Sequence, residues 1–311
     1  MPQPLLMLLI ALLCYLVIPG CGAVSVRRRW RRFRARVVEA AQVPLISPQL
    51  PGRVGVPMER LGVYRFSGAL EAIQGQNTVW LRGAGISVAV LMEGERVHMV
   101  PSEGESAPDG LSELDAAEHP LLVLRWRKLH AIAEGTGFYV FGAAYREHGK
   151  IVFKGEADQP LMVLVYDGDP NTVLERALWY GRQSNEYWNP VTVPALAMGV
   201  VSLTWLAYRS LSTPIQQSQA VIAVLLASLP VLPLLPPGAV FLLLYRRLWK
   251  RGRLRRAQRD MLLFRAPAAQ DAARRRSRSA ELSELSSLAA LGAGLGVNSY
   301  LLLMVITRLL L

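Results

Sequence analysis

The side chains in this chain best suited to holding a metal or attacking a substrate are His98, His119, His130 and His148, together with Cys14 and Cys21. Zinc and iron sites draw imidazoles, thiolates and carboxylates from positions a few residues apart, and these six are scattered. Both cysteines fall inside the first apolar run, so they give the following domain neither a disulfide framework nor a thiolate ligand. Gly135-Thr136-Gly137 has the look of a phosphate-cradling loop. It leads into a strand pattern, whereas that chemistry needs a helix N-terminus behind the glycines. No Walker sequence or G-x-S-x-G elbow occurs, and no carboxylate pair stands apart from ordinary surface acids. The chain is therefore expected to be no enzyme and to take no cofactor or metal.

What the sequence does organise is charge. Arg27, Arg28, Arg29, Arg31, Arg32, Arg34 and Arg36 follow one apolar run, and a second basic block opens with Arg246, Arg247, Lys250 and Arg251 and continues to Arg259. The net charge is +12 and 52% of the residues are hydrophobic. Residues 37–189, by contrast, carry 13 Lys and Arg against 19 Asp and Glu, a balance of −6. A nucleic-acid partner would need its basic face on the folded domain. Here the positive charge flanks the apolar segments, where membrane orientation is set. The expected partner is the lipid bilayer, and nucleic acid is excluded.

Four spans are expected. Residues 4–24 are nearly all apolar, and about 20 such residues cross the hydrocarbon. Gly20-Cys21 resembles the end of a lipobox, but Ile18-Pro19-Gly20 fits that motif poorly and the arginines behind it oppose export, so an uncleaved span is favoured. Residues 25–42 are expected as a basic juxtamembrane helix. The second span is residues 191–208, entered through Tyr187-Trp188. The third, residues 218–245, contains Pro230, Pro233, Pro236 and Pro237, so it is read as a kinked span, with a re-entrant segment as the alternative. Residues 246–286 are a basic cytoplasmic segment, and residues 287–308 the fourth span, with Gly292 and Gly296 spaced for close helix contact. Keeping every basic block inside places the N-terminus out, residues 25–189 in the cytoplasm and the C-terminus out, in a multi-pass protein of the cell inner membrane.

Residues 43–169 read as β. Runs at 63–70, 78–82 and 86–91, a hairpin of 138–145 and 150–154 around Glu147-His148-Gly149, and a run at 161–166 alternate or carry β-branched and aromatic residues. Asp169-Pro170 opens a linker helix over residues 170–190, with Val173, Leu174, Ala177 and Leu178 on its packing face. Several short strands suggest a small barrel or two sheets.

One stretch carries a resemblance. Lys128-Leu129-His130-Ala131-Ile132-Ala133-Glu134-Gly135, then Tyr139-Val140-Phe141-Gly142, the hairpin to Gly149, Ile151-Val152-Phe153 and Pro160-Leu161-Met162-Val163 resemble the GIDE domain. Leu45-Ile46-Ser47-Pro48 is similar to that family's domain entry. The resemblance implies an OB-like barrel held between transmembrane helices, and hence an α+β membrane protein with the barrel inserted between the first and second spans. It transfers no catalytic residue. The ligase member of the family works through a cysteine-rich RING, and this chain has no cysteine after Cys21. The expected function is a protein-interaction or membrane-complex scaffold, with a protein partner or a homo-oligomer. Two alternatives stand beside it. One is an accessory subunit of a transporter, with Ser202, Thr204, Ser228 and Asn298 as its available polar residues; the other is an anchored domain facing the periplasm.

Overall fold

The computed structural model describes residues 3–47, 58–102, 121–129, 132–157, 159–182, 189–211, 217–266 and 268–310 of an α+β chain. Two compact units make it up. Arg32–Ser184 with Ala257–Gln270 form a β unit, and Met1–Arg31, Asn185–Arg256 and Asp271–Leu311 form a helical unit.

The β unit holds one mixed sheet of eight strands. They are β1 (Met58–Gln74), β2 (Thr78–Gly83), β3 (Ile86–Leu91), β4 (Arg96–Met99), β5 (Leu122–Arg125), β6 (Gly137–Glu147), β7 (Lys150–Phe153) and β8 (Met162–Tyr166). β1 pairs antiparallel with β6 through residues 58–69 and with β2 through residues 69–74, so the order β1-β2-β3-β7-β6 returns to β1 and closes a ring. Inside that ring β3 and β7 run parallel. β6 serves two neighbours in turn on its other edge, β8 along residues 137–141 and β7 along residues 144–147. β4 and β5 extend the sheet beyond β8.

Local sequence explains how so long a first strand can turn from one partner to the other. Gly62, at φ +132°, sits at a bulge where a Cβ would be strained. Gly83 lies so close to β1 that a Cβ there would meet the Ser67 carbonyl oxygen at 2.3 Å. The two tight hairpins turn through Ala84-Gly85 and His148-Gly149, all four at positive φ, matching the strand twist. His148 is thus a turn residue. The core beneath is built from Phe66, Leu81, Val88, Val97, Phe138, Val140, Phe153 and Val163. All five residues of β8 are buried, which accounts for its unbroken apolar run.

The linker helix is shorter than expected. α2 runs only Val173–Tyr180, closed by turn bonds at Gly181 and Arg182, and residues 183–188 lie outside the described ones. Its start also differs. The Asp169 carboxylate accepts from the Asn171 N–H at 2.9 Å, an Asx turn, and Thr172 occupies the cap position. Val173, Leu174, Ala177 and Leu178 are buried, and the helix packs on β8.

In the helical unit, the expected four spans become two helices long and apolar enough to cross a membrane, α1 (Gln3–Gln42) and α6 (Gln270–Leu310). Both α1 and α5 (Gly238–Arg265) contribute one end to each unit. α1 contains a π turn, Leu13–Val17, just ahead of Pro19, whose missing N–H and bulky ring break the regular ladder. The second expected span forms α3 (Thr192–Leu211), but Thr192, Pro194, Thr204, Tyr208 and Arg209 leave it less apolar than those two. The third is not one kinked helix. α4 (Gln217–Ser228) stops, residues 229–237 form turns and a short 3-10 segment, and α5 restarts with only eight residues before Arg246. Four prolines in eight positions leave too few backbone donors for a continuous helix.

Candidate functional site

Helical spacing divides the first arginine block. Phe33, Val37 and Ala40 fall at i, i+4 and i+7 and are buried with Arg34, whereas Arg27, Arg28, Arg29, Arg31 and Arg32 are exposed. The buried side is the seat of α1 on the β unit. The Phe33 ring stacks on His98 with centroids 4.4 Å apart, and the Arg36 guanidinium lies 5.4 Å from the Phe141 ring centroid. Tyr139 donates its hydroxyl to the Ala40 carbonyl at 3.4 Å. The seven arginines expected to set membrane orientation therefore differ: Arg34 is buried and Arg36 half-buried against the β unit.

Asp260, near the end of α5, gathers the charges around this seat. Its carboxylate accepts from Arg182 Nε at 2.6 Å and from Arg259 at 2.7 Å, with Arg34 Nε at 3.8 Å. Arg34 also donates to the Gly181 carbonyl at 3.2 Å. Burial raises the Asp260 carboxyl, but Arg182 and then Arg259 outweigh it and hold it below the usual carboxylate range. Arg265 pairs with Glu175 of α2, so the end of α5 is tied to the β unit at two points. Arg176, on α2, donates to the Pro101 and Asp167 carbonyls.

His98 occupies the opposite electrostatic situation. Burial pushes its imidazole down to about 4; the Val163 backbone opposes this, and Arg36 and Arg96 add to it. Its Nδ1 is buried with no hydrogen-bond partner. The neighbouring Glu95 carboxyl is raised by burial, partly offset by the Leu161 N–H and Arg36.

The second basic block belongs to a helical hairpin. Arg246, Arg247 and Arg251 are exposed and Lys250 is half-buried. Arg255 donates to the Ser279 carbonyl and Ser283 Oγ of α6, and Arg256 to Glu284 at 2.5 Å. α5 and α6 run antiparallel, since Gly252 lies against Glu284, Gly294 against Phe241 and Gly238 against Asn298. The α6 glycine that packs on α5 is therefore Gly294. Gly292 and Gly296 face open space within the chain. Asn298, a candidate for a polar transport path, donates both amide hydrogens to the Leu232 and Leu235 carbonyls at 2.6 and 2.8 Å. Those carbonyls lie in the proline-rich turns, where helical donors are missing.

Among the described residues no three His, Cys, Asp or Glu side chains are grouped to hold a metal ion. His119 and His130 lie outside them. The acidic surplus of residues 37–189 is also local: residues 103–118 supply six Asp and Glu with no Lys or Arg, and they too lie outside the described residues. Comparison with models of known families, with curated proteins and with solved structures finds no match.

Proposed function

We propose that this chain is a membrane-anchored interaction protein whose β unit, an OB-like barrel of the GIDE type, is presented to the cytoplasm for a protein partner or a second copy. One observation carries the reading. The five strands β1-β2-β3-β7-β6 close on β1 with β3 beside β7 in parallel, the pairing expected of a Greek-key barrel of this kind, whose outer strand face serves for binding. α1 and α6 supply the anchors by length and composition. The five exposed arginines from Arg27 to Arg32, with Arg246, Arg247 and Arg251, supply the retention signal, since each basic residue near an anionic inner leaflet adds about 1 kcal/mol of attraction. The transporter alternative loses its best polar residue, because both Asn298 amide hydrogens satisfy backbone carbonyls.

Two measurements test the proposal. A reporter active only outside the cytoplasm should be silent when fused after Gly110 and active when fused after Leu311; the reverse pair overturns the orientation. Crosslinking of the full chain in native membranes should trap one defined partner or a homodimer through the β unit. A clean monomer under the same conditions overturns the interaction role.

A further inference from the structure

β4 and β5 set two arginines directly against each other. In the register of that antiparallel pair Arg96 faces Arg125, and both are exposed. Side chains so opposed stand about 4.5–5.5 Å apart at Cβ, and like charges there repel. A carboxylate would ordinarily relieve such a pair. Among the described residues, however, no ion pair includes Arg96, Arg125 or Arg127.

The three guanidinium-bearing residues line one cavity of about 360 Å³, together with Glu93, Glu95 and Trp126. Its frame is fixed. Trp126 is buried and donates Nε1–H to the Gln76 carbonyl at 2.8 Å, and its backbone N–H donates to the Glu95 carbonyl at 3.1 Å. Glu95 is already engaged, since its carboxylate accepts from the Leu161 N–H at 3.3 Å. The pocket thus holds three cationic side chains, two of them a repelling pair, and among the described residues neither Glu93 nor Glu95 forms an ion pair with them.

We infer that this cavity binds a phosphate-bearing anion gripped by Arg96, Arg125 and Arg127. A planar carboxylate offers two oxygens, which one guanidinium fork can satisfy. A tetrahedral phosphate presents further oxygens to a second and third fork, and charge-assisted N–H···O bonds of this kind are short and strong. Binding converts the Arg96–Arg125 repulsion into a shared attraction. A soluble phosphomonoester and a phospholipid headgroup share this chemistry.

The experiment uses the full chain in an uncharged detergent, with ionic strength held constant by chloride. Inorganic phosphate, O-phosphoethanolamine and dihexanoyl phosphatidic acid are titrated separately and followed by calorimetry. Saturable binding of at least one probe is expected. The Arg96→Gln/Arg125→Gln double variant should weaken it at least tenfold, and Arg82→Gln, outside the cavity, should leave it unchanged. Without ligand, the double variant should melt no lower than the parent, because the repelling pair is gone. If it does melt lower, the single Arg127→Gln variant carries the test, with an expected loss of threefold or more. Binding of the soluble probes alone assigns the site to a soluble phosphate compound, and binding of phosphatidic acid alone assigns it to a headgroup. The inference is overturned if no probe binds above the chloride control, or if the arginine variants bind as tightly as the parent.

Discussion

The two units bury opposite kinds of residue. In the β unit the fully buried side chains are large: Phe66, Leu81, Phe138, Phe141, Phe153 and Leu164. In the helical unit the contacts are small. Ala11, Ala207, Ala223 and Ala227 join Met7 and Leu203 where α1, α3 and α4 meet, and Gly199 lies against Cys14 and Tyr15. Leu5, Leu8, Leu9, Leu12 and Leu16 of α1 are meanwhile exposed. Water drives large apolar groups inward at about 25 cal/mol per Å². Lipid tails are as apolar as leucine, so between helices in a bilayer the gain comes from close backbone approach, which small residues permit. The contrast is the one expected of a β unit folded in water and helices packed in a bilayer.

The contrast breaks most visibly at an aromatic residue. Phe138→Ala should destabilise the β unit by about 3–5 kcal/mol, read as a lowered denaturant midpoint in tryptophan fluorescence. Leu9→Ala, at an exposed position of α1, should change stability by less than about 0.5 kcal/mol in detergent. Equal effects at the two sites would contradict different solvents for the two units.

Acid should act next, and in the β unit His98 is the group through which it acts. The folded His98 imidazole is held at about 4, against an ordinary value of 6.5, so the unfolded chain takes up its proton first as pH falls. The contribution of the neutral ring is intact above about pH 6.5 and is lost progressively toward pH 4, by roughly 3 kcal/mol at most. His98→Leu should flatten that part of the stability–pH curve. An unchanged slope in the variant would rule His98 out as its source.

In the helical unit the sensitive change is enlargement. A Cβ on Gly199 would already sit 2.5 Å from the Tyr15 ring, so Gly199→Leu should cost about 1–3 kcal/mol by forcing α3 from α1, measured as lost thermal stability in detergent. The smallest effect belongs to Gly292→Ala. With open space around it in the chain, it should cost nothing and gain up to about 1 kcal/mol through helix propensity. A clear loss in the same melt would reveal a neighbour covering that face.

Legibility in the sequence followed the range of the interactions. The strands at 63–70, 78–82, 86–91 and 138–145 were readable because alternation and turn residues act locally, and all lie within observed strands, whereas the runs at 150–154 and 161–166 each overrun the observed strand by one residue. β4 and β5, four residues each, are too short to show a period. Closure of the ring was also hidden, since β1 and β6 meet across a long sequence separation. The seat of α1 had a signal: Phe33, Val37 and Ala40 keep helical spacing, but the surrounding arginines pointed to the membrane. Asp260 gave none, being one carboxylate in a basic run whose partners Arg34 and Arg182 are far away in the chain. The apolar run at 218–245 misled because hydropathy sums side chains, while proline acts on the backbone.

Ring closure has a consequence in time. β1 is complete at Gln74, but its partner β6 begins only at Gly137, about 60 residues later, or roughly 3–12 s at about 5–20 residues per second of synthesis. For that interval the edge of β1 that β6 will cover is a row of unpaired backbone groups, able to recruit a strand from a neighbouring nascent chain. The residues that emerge in the gap include the six acids between Glu103 and Glu118, with no base among them. Chains growing side by side on one messenger both carry this acidic stretch while their edges are open.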